Sequence, residues 1–441
     1  MKAKLSELEN MLKSSLSGPD ILFDGITIDS RTTMPGNLFI ALRGDKYDGH
    51  DYINQAIQNG AVAVITEVDV SAVPFIKVSD TLQALTRIAS EYSKEINPIT
   101  ISVTGTNGKT TVTDMTYRII SNYKKTMKTF KNFNNNIGLP LSILRANRSD
   151  DIFVLEMGAS RVGDIRELVE IARPNIVALL NVSAAHLESF GSIENILLTK
   201  EEIFLNQGQD KTVIINKSDE YYDRWIKKNS SNIIKTISLT DDADYSMLDF
   251  SANKMIVKTP FEDKIEFKIN NSESFNLLNI LYSIGLACEA GARSEHIISA
   301  FDNYRDVEGR SKIYEGINNA KIIDSTYNAN PASFKASIDL LTSMNSKSWV
   351  IMGQMGELGV NSEKYHTELA AYAADKGVEK LFVLTDHNDA ISDAFGKNSY
   401  LFDKKSDLIS EIKLLIQKDI YVLVKASRYM KFETIVRELI S

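Results

Sequence analysis

One stretch, residues 99–120, constrains the fold more than any other. Residues 99–103 read Ile-Thr-Ile-Ser-Val, residues 104–111 read Thr-Gly-Thr-Asn-Gly-Lys-Thr-Thr, and a helical pattern follows. The order strand, glycine loop, helix is typical of a nucleotide phosphate site, because loop N–H groups and the positive end of the helix dipole attract an anion. In such a loop Lys109 reaches the outer phosphates and Thr110 can ligate Mg²⁺. The other residues predicted to bind the nucleotide phosphates are Gly105, Thr106, Asn107, Gly108 and Thr111.

The loop departs from the standard pattern G-x-x-x-x-G-K-[ST], since Val103 occupies the position of the first glycine. Its neighbours support the assignment: an apolar run precedes it, a long helical pattern follows it, and two consecutive threonines can serve a metal and a phosphate. A glycine-rich turn that binds nothing is the alternative. We therefore predict a nucleotide site from the loop together with its flanks.

Composition excludes several classes of protein. The length of 441 residues is enough for about three ordinary domains. A formal net charge of −8 offers no general basic surface for nucleic acid. No apolar run of about 18 residues predicts a membrane span, the charged N-terminus does not resemble a signal peptide, and the single cysteine, Cys288, cannot form an internal disulfide. We expect a cytoplasmic, monomeric enzyme or switch.

Apolar runs alternate with helical patterns over most of the chain, which predicts an α/β fold with three domains. Residues 1–96 form a small N-terminal α/β module. Residues 97–308 contain the phosphate loop and a mostly parallel sheet of the P-loop ATPase kind, and residues 309–441 form a doubly wound, Rossmann-like domain. The short strands expected in the N-terminal module lie around residues 29–31, 38–42 and 60–65.

Polar residues follow two apolar runs downstream of the loop. Glu156 ends one run, and His186 lies shortly after the next. Because the carboxyl ends of parallel strands converge on a ligand-binding crevice, we expect both beside the phosphates as Mg²⁺ ligands. The asparagine run at 132–136 lies in the same unit, and its amides, among them Asn134 and Asn135, could equally form a turn or hold a polar substrate.

Lys200 lies on the apolar face of a predicted helix. Ile196 and Leu197 stand four and three residues before it, and Ile203 and Phe204 three and four residues after it. An unpaired ammonium is costly to bury. This lysine therefore requires a partner, and a phosphate, a metal site or covalent modification of its amine would supply one.

Residues 216–219 read Asn-Lys-Ser-Asp, the N-K-x-D pattern with which GTPases read guanine. A GTP-binding switch is therefore a second hypothesis. Against it, Glu156-Met157-Gly158 stands where a D-x-x-G switch motif is expected, and the phosphate loop lacks the first GTPase glycine. A non-catalytic binder of UDP-sugars is a third hypothesis.

Taken together, the motifs of this chain resemble those of the Mur ligase family of peptidoglycan synthesis. The resemblance covers nearly the whole chain. The segments that carry it are 104–111, 132–140, 156–158, 185–188, 200–204, 324–330 and 355–359.

The resemblance implies ATP as the nucleotide, two Mg²⁺ ions and a carbamylated Lys200. Thr110 and Glu156 would hold one ion, and His186, with the modified Lys200 as an anionic partner, the other. The implied catalytic residues are Lys109, His186, Lys200 and Arg310. The implied ATP contacts outside the loop are Asn276 and Asn279 near the adenine, Arg310 at the γ-phosphate and Asp324 near the ribose. The implied substrate contacts are Ser30, Arg31, Asn134, Asn135, Tyr327, Asn328, Asn330, Glu357, Lys425, Ser427 and Arg428.

The implied chemistry is phosphorylation of the terminal carboxylate of a UDP-linked muramoyl peptide, followed by attack of an amine on the acyl phosphate. D-alanyl-D-alanine is the implied amine. Three positions depart from the family pattern, since Phe275 replaces a usual histidine, Gln354 a common aspartate, and Ala426 the glycine of Lys-Gly-Ser-Arg. A sibling ligase with another peptide or amine substrate, such as an archaeal pseudomurein ligase, is therefore an alternative.

Overall fold

The computed structural model describes residues 1–44, 46–185, 187–205, 210–269, 277–302, 309, 311–344 and 346–440. Three separate larger sheets form in chain order, each flanked by helices, so the predicted three-domain α/β fold is confirmed. The domain boundaries after residues 96 and 308 stay predictions. Among the described residues, no helix combines the length and the apolar character needed to cross a membrane.

The N-terminal unit combines a five-stranded sheet with a separate antiparallel strand pair, β1 and β3. The order in the sheet is β2-β7-β6-β5-β4, in which β2 is antiparallel to β7 and the other pairs are parallel. The elements are β1 (Lys2–Lys4), α1 (Leu5–Leu12), β2 (Leu16–Ser17), β3 (Leu22–Asp24), β4 (Ile26–Thr27), β5 (Leu38–Ile40), α2 (Ile53–Gln58), β6 (Ala63–Thr66), β7 (Phe75–Lys77) and α3 (Thr81–Ile96).

The prediction of a strand around residues 29–31 is wrong. Ser30–Thr32 form a 3₁₀ turn, which Asp29 caps by accepting a hydrogen bond from the Arg31 N–H on Oδ1 at 3.0 Å. A carboxylate that bonds the backbone two residues ahead favours a turn over a strand. The strands predicted around residues 38–42 and 60–65 are confirmed as β5 and β6.

The central unit is built on a nine-stranded sheet of order β16-β15-β14-β13-β12-β11-β8-β10-β9, parallel from β9 to β14 and antiparallel at β15 and β16. Its elements are β8 (Ile99–Thr104), α4 (Lys109–Ser121), β9 (Thr126–Lys128), α5 (Gly138–Ile143), β10 (Ile152–Glu156), α6 (Asp164–Ala172), β11 (Ile176–Leu179), α7 (Leu187–Phe190), α8 (Ile193–Lys200), β12 (Thr212–Asn216), α9 (Tyr222–Lys228), β13 (Ile233–Ser238), β14 (Tyr245–Ser251), β15 (Lys254–Lys258), β16 (Ile265–Lys268), α10 (Leu277–Glu289) and α11 (Ser294–Asp302).

The helix α3 ties the first two units together. Its apolar side chains, including Leu85 and Ile88, are buried in one core that also contains residues of the central sheet and of α6. The Tyr92 hydroxyl donates to the Ala146 carbonyl at 2.9 Å, and Arg148 pairs with Glu95 at 2.9 Å. A shared apolar core opposes rotation of one unit against the other, because separation would expose its surface to water.

The C-terminal unit has a six-stranded sheet of order β17-β18-β22-β19-β20-β21, in which β17 is antiparallel to β18 and the other pairs are parallel. Its carboxyl edge therefore gathers the loops after β18, β19 and β22. The elements are β17 (Lys312–Glu315), β18 (Lys321–Asp324), α12 (Pro331–Ser343), β19 (Lys347–Gly353), α13 (Ser362–Asp375), β20 (Lys380–Leu384), α14 (Asn388–Phe395), β21 (Ser399–Leu401), α15 (Lys405–Leu415), β22 (Ile420–Lys425) and α16 (Glu433–Leu439).

Candidate active site

The phosphate loop connects β8 to α4, as the sequence predicts. Gly105 and Gly108 have φ angles of 155° and 85°, a region that favours glycine. A Cβ at Gly108 would lie 2.6 Å from Oδ1 of Asn279, so glycine is also required for space. Asn279 therefore lies beside the loop. Contact of Asn279 with an adenine stays a prediction.

Asn181, which the sequence analysis missed, holds the loop in shape. Its Oδ1 accepts from the Asn107 N–H at 2.9 Å, its Nδ2 donates to the Asn107 carbonyl at 3.1 Å, and its own carbonyl accepts from the Thr106 N–H at 2.9 Å. Asn181 lies shortly after β11, so the rule that singled out Glu156 after β10 could have found it. The amide side chain pairs with the loop backbone in the way a neighbouring strand would.

Lys109 and Lys200 both contact Gly105. Lys109 Nζ donates to the carbonyls of Gly105 and Thr106 at 2.8 and 3.1 Å, and Lys200 Nζ donates to the Gly105 carbonyl at 2.9 Å. Lys200 is buried, which confirms the position inferred from its apolar neighbours. Burial, and secondly the charge of Lys109, hold the pKa of the Lys200 amine well below its usual value.

Glu156 lies at the end of β10 and faces the start of α4. The Thr110 hydroxyl donates to its Oε2 and the Asn134 amide to its Oε1, both at 2.7 Å. The backbone N–H of Glu156 donates to the Thr129 hydroxyl at 2.7 Å. A hydroxyl and a buried carboxylate beside a phosphate loop are hard oxygen donors, and Mg²⁺ typically takes one or two such protein ligands together with phosphates and water. The residues present therefore fit a magnesium ion.

The C-terminal unit brings several of the predicted substrate residues together. Lys425 is buried at the end of β22 and donates to the Asn328 carbonyl at 3.0 Å. The Ser427 hydroxyl accepts from the Gly356 N–H at 2.8 Å, and the Arg428 guanidinium lies 6.0 Å from the Tyr327 ring centroid. These residues come from the loops that follow β18, β19 and β22.

Asp324 ends β18 and is also buried. Its Oδ1 accepts from the Thr326 backbone at 3.1 Å and from the Thr326 hydroxyl at 2.6 Å. The carboxylate therefore shapes its own turn in the described structure. Contact of Asp324 with a ribose stays a prediction.

Contacts between described residues bring the C-terminal unit against the central one. Asn330 Nδ2 donates to Asn107 Oδ1 at 2.8 Å, so the phosphate loop touches the start of α12. The Glu188 N–H donates to the carbonyl of Glu357, at 3.3 Å, and Glu357 has a φ of 62°, which is uncommon for a residue with a side chain. The predicted phosphate and amine sites thus face one another.

Other predicted site residues make local contacts in the described structure. The Ser30 hydroxyl donates to Gln55 at 2.6 Å, and the exposed Arg31 forms an ion pair with Asp29 at 2.7 Å. Asn135 Oδ1 accepts from the Gly138 N–H, at the first residue of α5, at 2.8 Å. Roles for these residues in substrate binding stay predictions. The predicted residues that lie outside the described residues are His186, Asn276 and Arg310.

The N-K-x-D segment behaves as a turn. Asn216 Oδ1 accepts from the Ser218 N–H at 3.2 Å, and Asp219 Oδ1 accepts from the Tyr221 N–H at 2.9 Å. Burial raises the pKa of the Asp219 carboxyl. These oxygens form local backbone bonds, which is what turn-forming residues do without any nucleotide.

Comparison with known proteins gives matches along almost the entire chain. The descriptions "Mur ligase family, catalytic domain", "Mur ligase middle domain" and "Mur ligase, glutamate ligase domain" match residues 22–93, 103–287 and 309–428. The chain is 32% identical to the UDP-N-acetylmuramoyl-tripeptide--D-alanyl-D-alanine ligase of Escherichia coli (strain K12), over 99% of this chain and 98% of that protein.

Solved structures match as well. The MurF ligase from Thermotoga maritima in complex with ADP is 29% identical, with a TM-score of 0.82 over 94% of this chain and 96% of that one. MurF from Acinetobacter baumannii has a TM-score of 0.91 over 100% of this chain and 99% of that one, and at 24% identity this likeness shows the fold alone.

Proposed function

Because this chain belongs to the Mur ligase family, we propose that it is the ATP-dependent ligase that joins D-alanyl-D-alanine to a UDP-N-acetylmuramoyl-tripeptide. The observation that carries the proposal is the 32% identity, over 99% of the chain, to a ligase of that name. The ADP in a relative that is 29% identical supports ATP as the nucleotide. Such an enzyme makes a cell-wall precursor from soluble substrates, so we also propose that it is cytoplasmic. We further propose that it is a monomer.

The proposed reaction has two steps. An oxygen of the peptide carboxylate attacks the γ-phosphorus of ATP, ADP leaves, and an acyl phosphate forms. The amine nitrogen of the dipeptide then attacks the acyl carbon, the carbon–oxygen bond to phosphate breaks, and the amine loses a proton. The products are an amide, ADP and inorganic phosphate.

The phosphate loop supplies positioning and charge in the first step. Its N–H groups and Lys109 would bind the ATP phosphates and stabilise negative charge on the transferring group. Thr110 and Glu156 would hold a magnesium ion, which when bound neutralises phosphate charge. Asn134 orients the Glu156 carboxylate by donating to it, and Thr129 holds the Glu156 backbone by accepting from its N–H.

Lys200 is the residue that we propose to be carbamylated. Burial favours the neutral amine, and a neutral amine can attack the carbon of CO₂ and lose a proton to give a carbamate. The product is an anion that would lie beside the Lys109 ammonium and attract it, whereas a protonated Lys200 would repel it. The anion could also serve the second magnesium ion, together with His186.

The experiment is a phosphate-release and product assay with purified protein. We expect phosphate only when ATP, a UDP-muramoyl-tripeptide and D-alanyl-D-alanine are all present, and one new amide for each phosphate. Replacing the tripeptide or the dipeptide with related compounds tests the sibling ligases, including the pseudomurein type. Release from GTP but not from ATP would favour the switch hypothesis, and nucleotide binding without any amine-dependent release would favour a non-catalytic binder.

A further inference from the structure

Two asparagines link the phosphate loop to the C-terminal unit, although 223 positions separate them in the chain. Asn330 Nδ2 donates to Asn107 Oδ1 at 2.8 Å, and Asn107 Nδ2 lies 3.5 Å from Asn330 Oδ1 in the reverse direction. Hydrogen bonds weaken steeply beyond these distances. The pair therefore forms only when the two units are closely docked.

Other groups form hydrogen bonds with both asparagines and hold them in position. The N–H and carbonyl of Asn107 are bonded to the Asn181 side chain at 2.9 and 3.1 Å. Asn330 is the N-cap of α12, where its Oδ1 accepts from the Ser333 N–H at 2.8 Å and its N–H donates to the Ser333 hydroxyl at 3.1 Å. The Ser333 N–H, a backbone group, thus orients the Asn330 side chain, and Asn181 holds the Asn107 backbone.

The segment that ends at Asn330 also carries predicted amine-site contacts. The Asn328 carbonyl accepts from Lys425 Nζ at 3.0 Å, and the Ala329 carbonyl accepts from the Ser427 hydroxyl at 3.4 Å. Docking of Asn330 on Asn107 thus fixes the position of this segment relative to the phosphate loop.

We propose that Asn330 is a positioning residue that couples the two halves of the reaction. Resting on the proposed function, the inference is that Asn330 docks on Asn107 and thereby holds the amine site over the acyl phosphate. When the pair is broken, water reaches the acyl carbon, the carbon–oxygen bond to phosphate breaks, and the original carboxylate returns. ATP is then consumed without formation of an amide.

The test compares two variants that differ in which contact they lose. Asn330→Ser keeps an oxygen that can cap α12 but is too short to reach Asn107. Ser333→Ala removes the hydroxyl that bonds the Asn330 backbone but keeps the backbone N–H of residue 333, which donates to Asn330 Oδ1 and so retains the orientation of the Asn330 side chain. The ratio of phosphate released to amide formed is measured for both variants and for the wild type at saturating dipeptide.

We expect a ratio of one for the wild type and for Ser333→Ala. For Asn330→Ser we expect an excess of phosphate of about two- to tenfold, the range that corresponds to losing one typical hydrogen bond from the docked state. A ratio of one in Asn330→Ser would overturn the inference. Failure of the wild type to form any amide would instead refute the proposed function.

A second readout needs no activity. Spin labels on Leu248→Cys in the central sheet and Leu414→Cys in the C-terminal unit report the distance between the two units, since both positions are exposed and the native Cys288 is buried. We expect Asn330→Ser to broaden the distance distribution and Ser333→Ala to leave it unchanged. An unchanged distribution in Asn330→Ser would also overturn the inference.

Discussion

Lys109 and Lys200 donate hydrogen bonds to one and the same carbonyl oxygen, that of Gly105, at 2.8 and 2.9 Å. Two cations on one acceptor repel each other, and the buried one is the more costly to keep charged. Lys200 is the buried partner, and its pKa is accordingly held well below the usual value. The charge of Lys109 therefore disfavours protonation of Lys200.

Lys109→Ala should strongly reduce ligation while leaving the fold intact. We expect kcat/KM to fall by about 10²- to 10³-fold, the loss typical of a group that stabilises transition-state charge. Thermal unfolding should change little, because the side chain donates to carbonyls of the loop itself and is not part of an apolar core. The exposed Lys124→Ala is the matched control. Near-normal turnover in a well-folded Lys109→Ala protein would contradict the phosphate assignment.

Lys200→Ala should be nearly inactive, and millimolar formate or acetate should restore part of its activity. The small acid would return the missing anion to the volume that the side chain vacates. In the wild type, ¹³C-enriched CO₂ should give a carbamate carbon signal that is absent from the variant.

Lys211 offers the control for that experiment. It is also buried, burial lowers the pKa of its amine to about 8, and it donates to the Leu205 carbonyl. Lys211→Ala should lose stability and gain nothing from added carboxylates. The carbamate proposal fails if the two variants respond alike.

Glu156→Gln should raise the magnesium concentration needed for half-maximal activity by about 10- to 100-fold, since an amide is a weaker ligand than a carboxylate. Binding of ADP, followed calorimetrically, should lose most of its dependence on Mg²⁺. Exposed Glu167→Gln serves as the comparison, as its carboxylate pairs with Arg161 on the surface. Unchanged magnesium dependence in Glu156→Gln would remove Glu156 from the metal site.

Acid should destabilise the C-terminal unit through His366. Its Nε2 accepts from the Met355 N–H at 2.8 Å, and burial lowers its pKa to about 4. The folded state thus prefers neutral imidazole, so the stabilisation is complete above the unfolded pKa of about 6.5 and is lost as the pH falls towards 4. The loss is on the order of 3 kcal/mol.

The measurement is the free energy of unfolding from denaturant titrations between pH 7 and pH 4. His366→Asn should flatten the dependence on pH, whereas the less buried His387→Asn should retain it. An equally steep dependence in His366→Asn would assign the acid sensitivity to other groups.

Local sequence patterns were sufficient to predict the positions of residues that depend mainly on their neighbours in the chain. The loop glycines, the strand-end Glu156 and the buried Lys200 follow from spacing and strand order, and the structure confirms their positions. The 3₁₀ turn at Ser30–Thr32 was missed, because a side-chain cap outweighed the strand propensity of its neighbours. The pairing of Asn107 with Asn330 joins distant loops, and no local pattern predicts which distant loops meet.

The most direct test of the account uses a UDP-muramoyl-tripeptide whose terminal carboxylate carries ¹⁸O at both oxygens. If the carboxylate attacks ATP and the amine displaces phosphate, one ¹⁸O must leave with each phosphate and one must remain in the new amide. Mass spectrometry of both products, after reaction with ATP and D-alanyl-D-alanine, should therefore find singly labelled phosphate in equal amount to the amide. Unlabelled phosphate, or phosphate without a labelled amide product, would contradict the account.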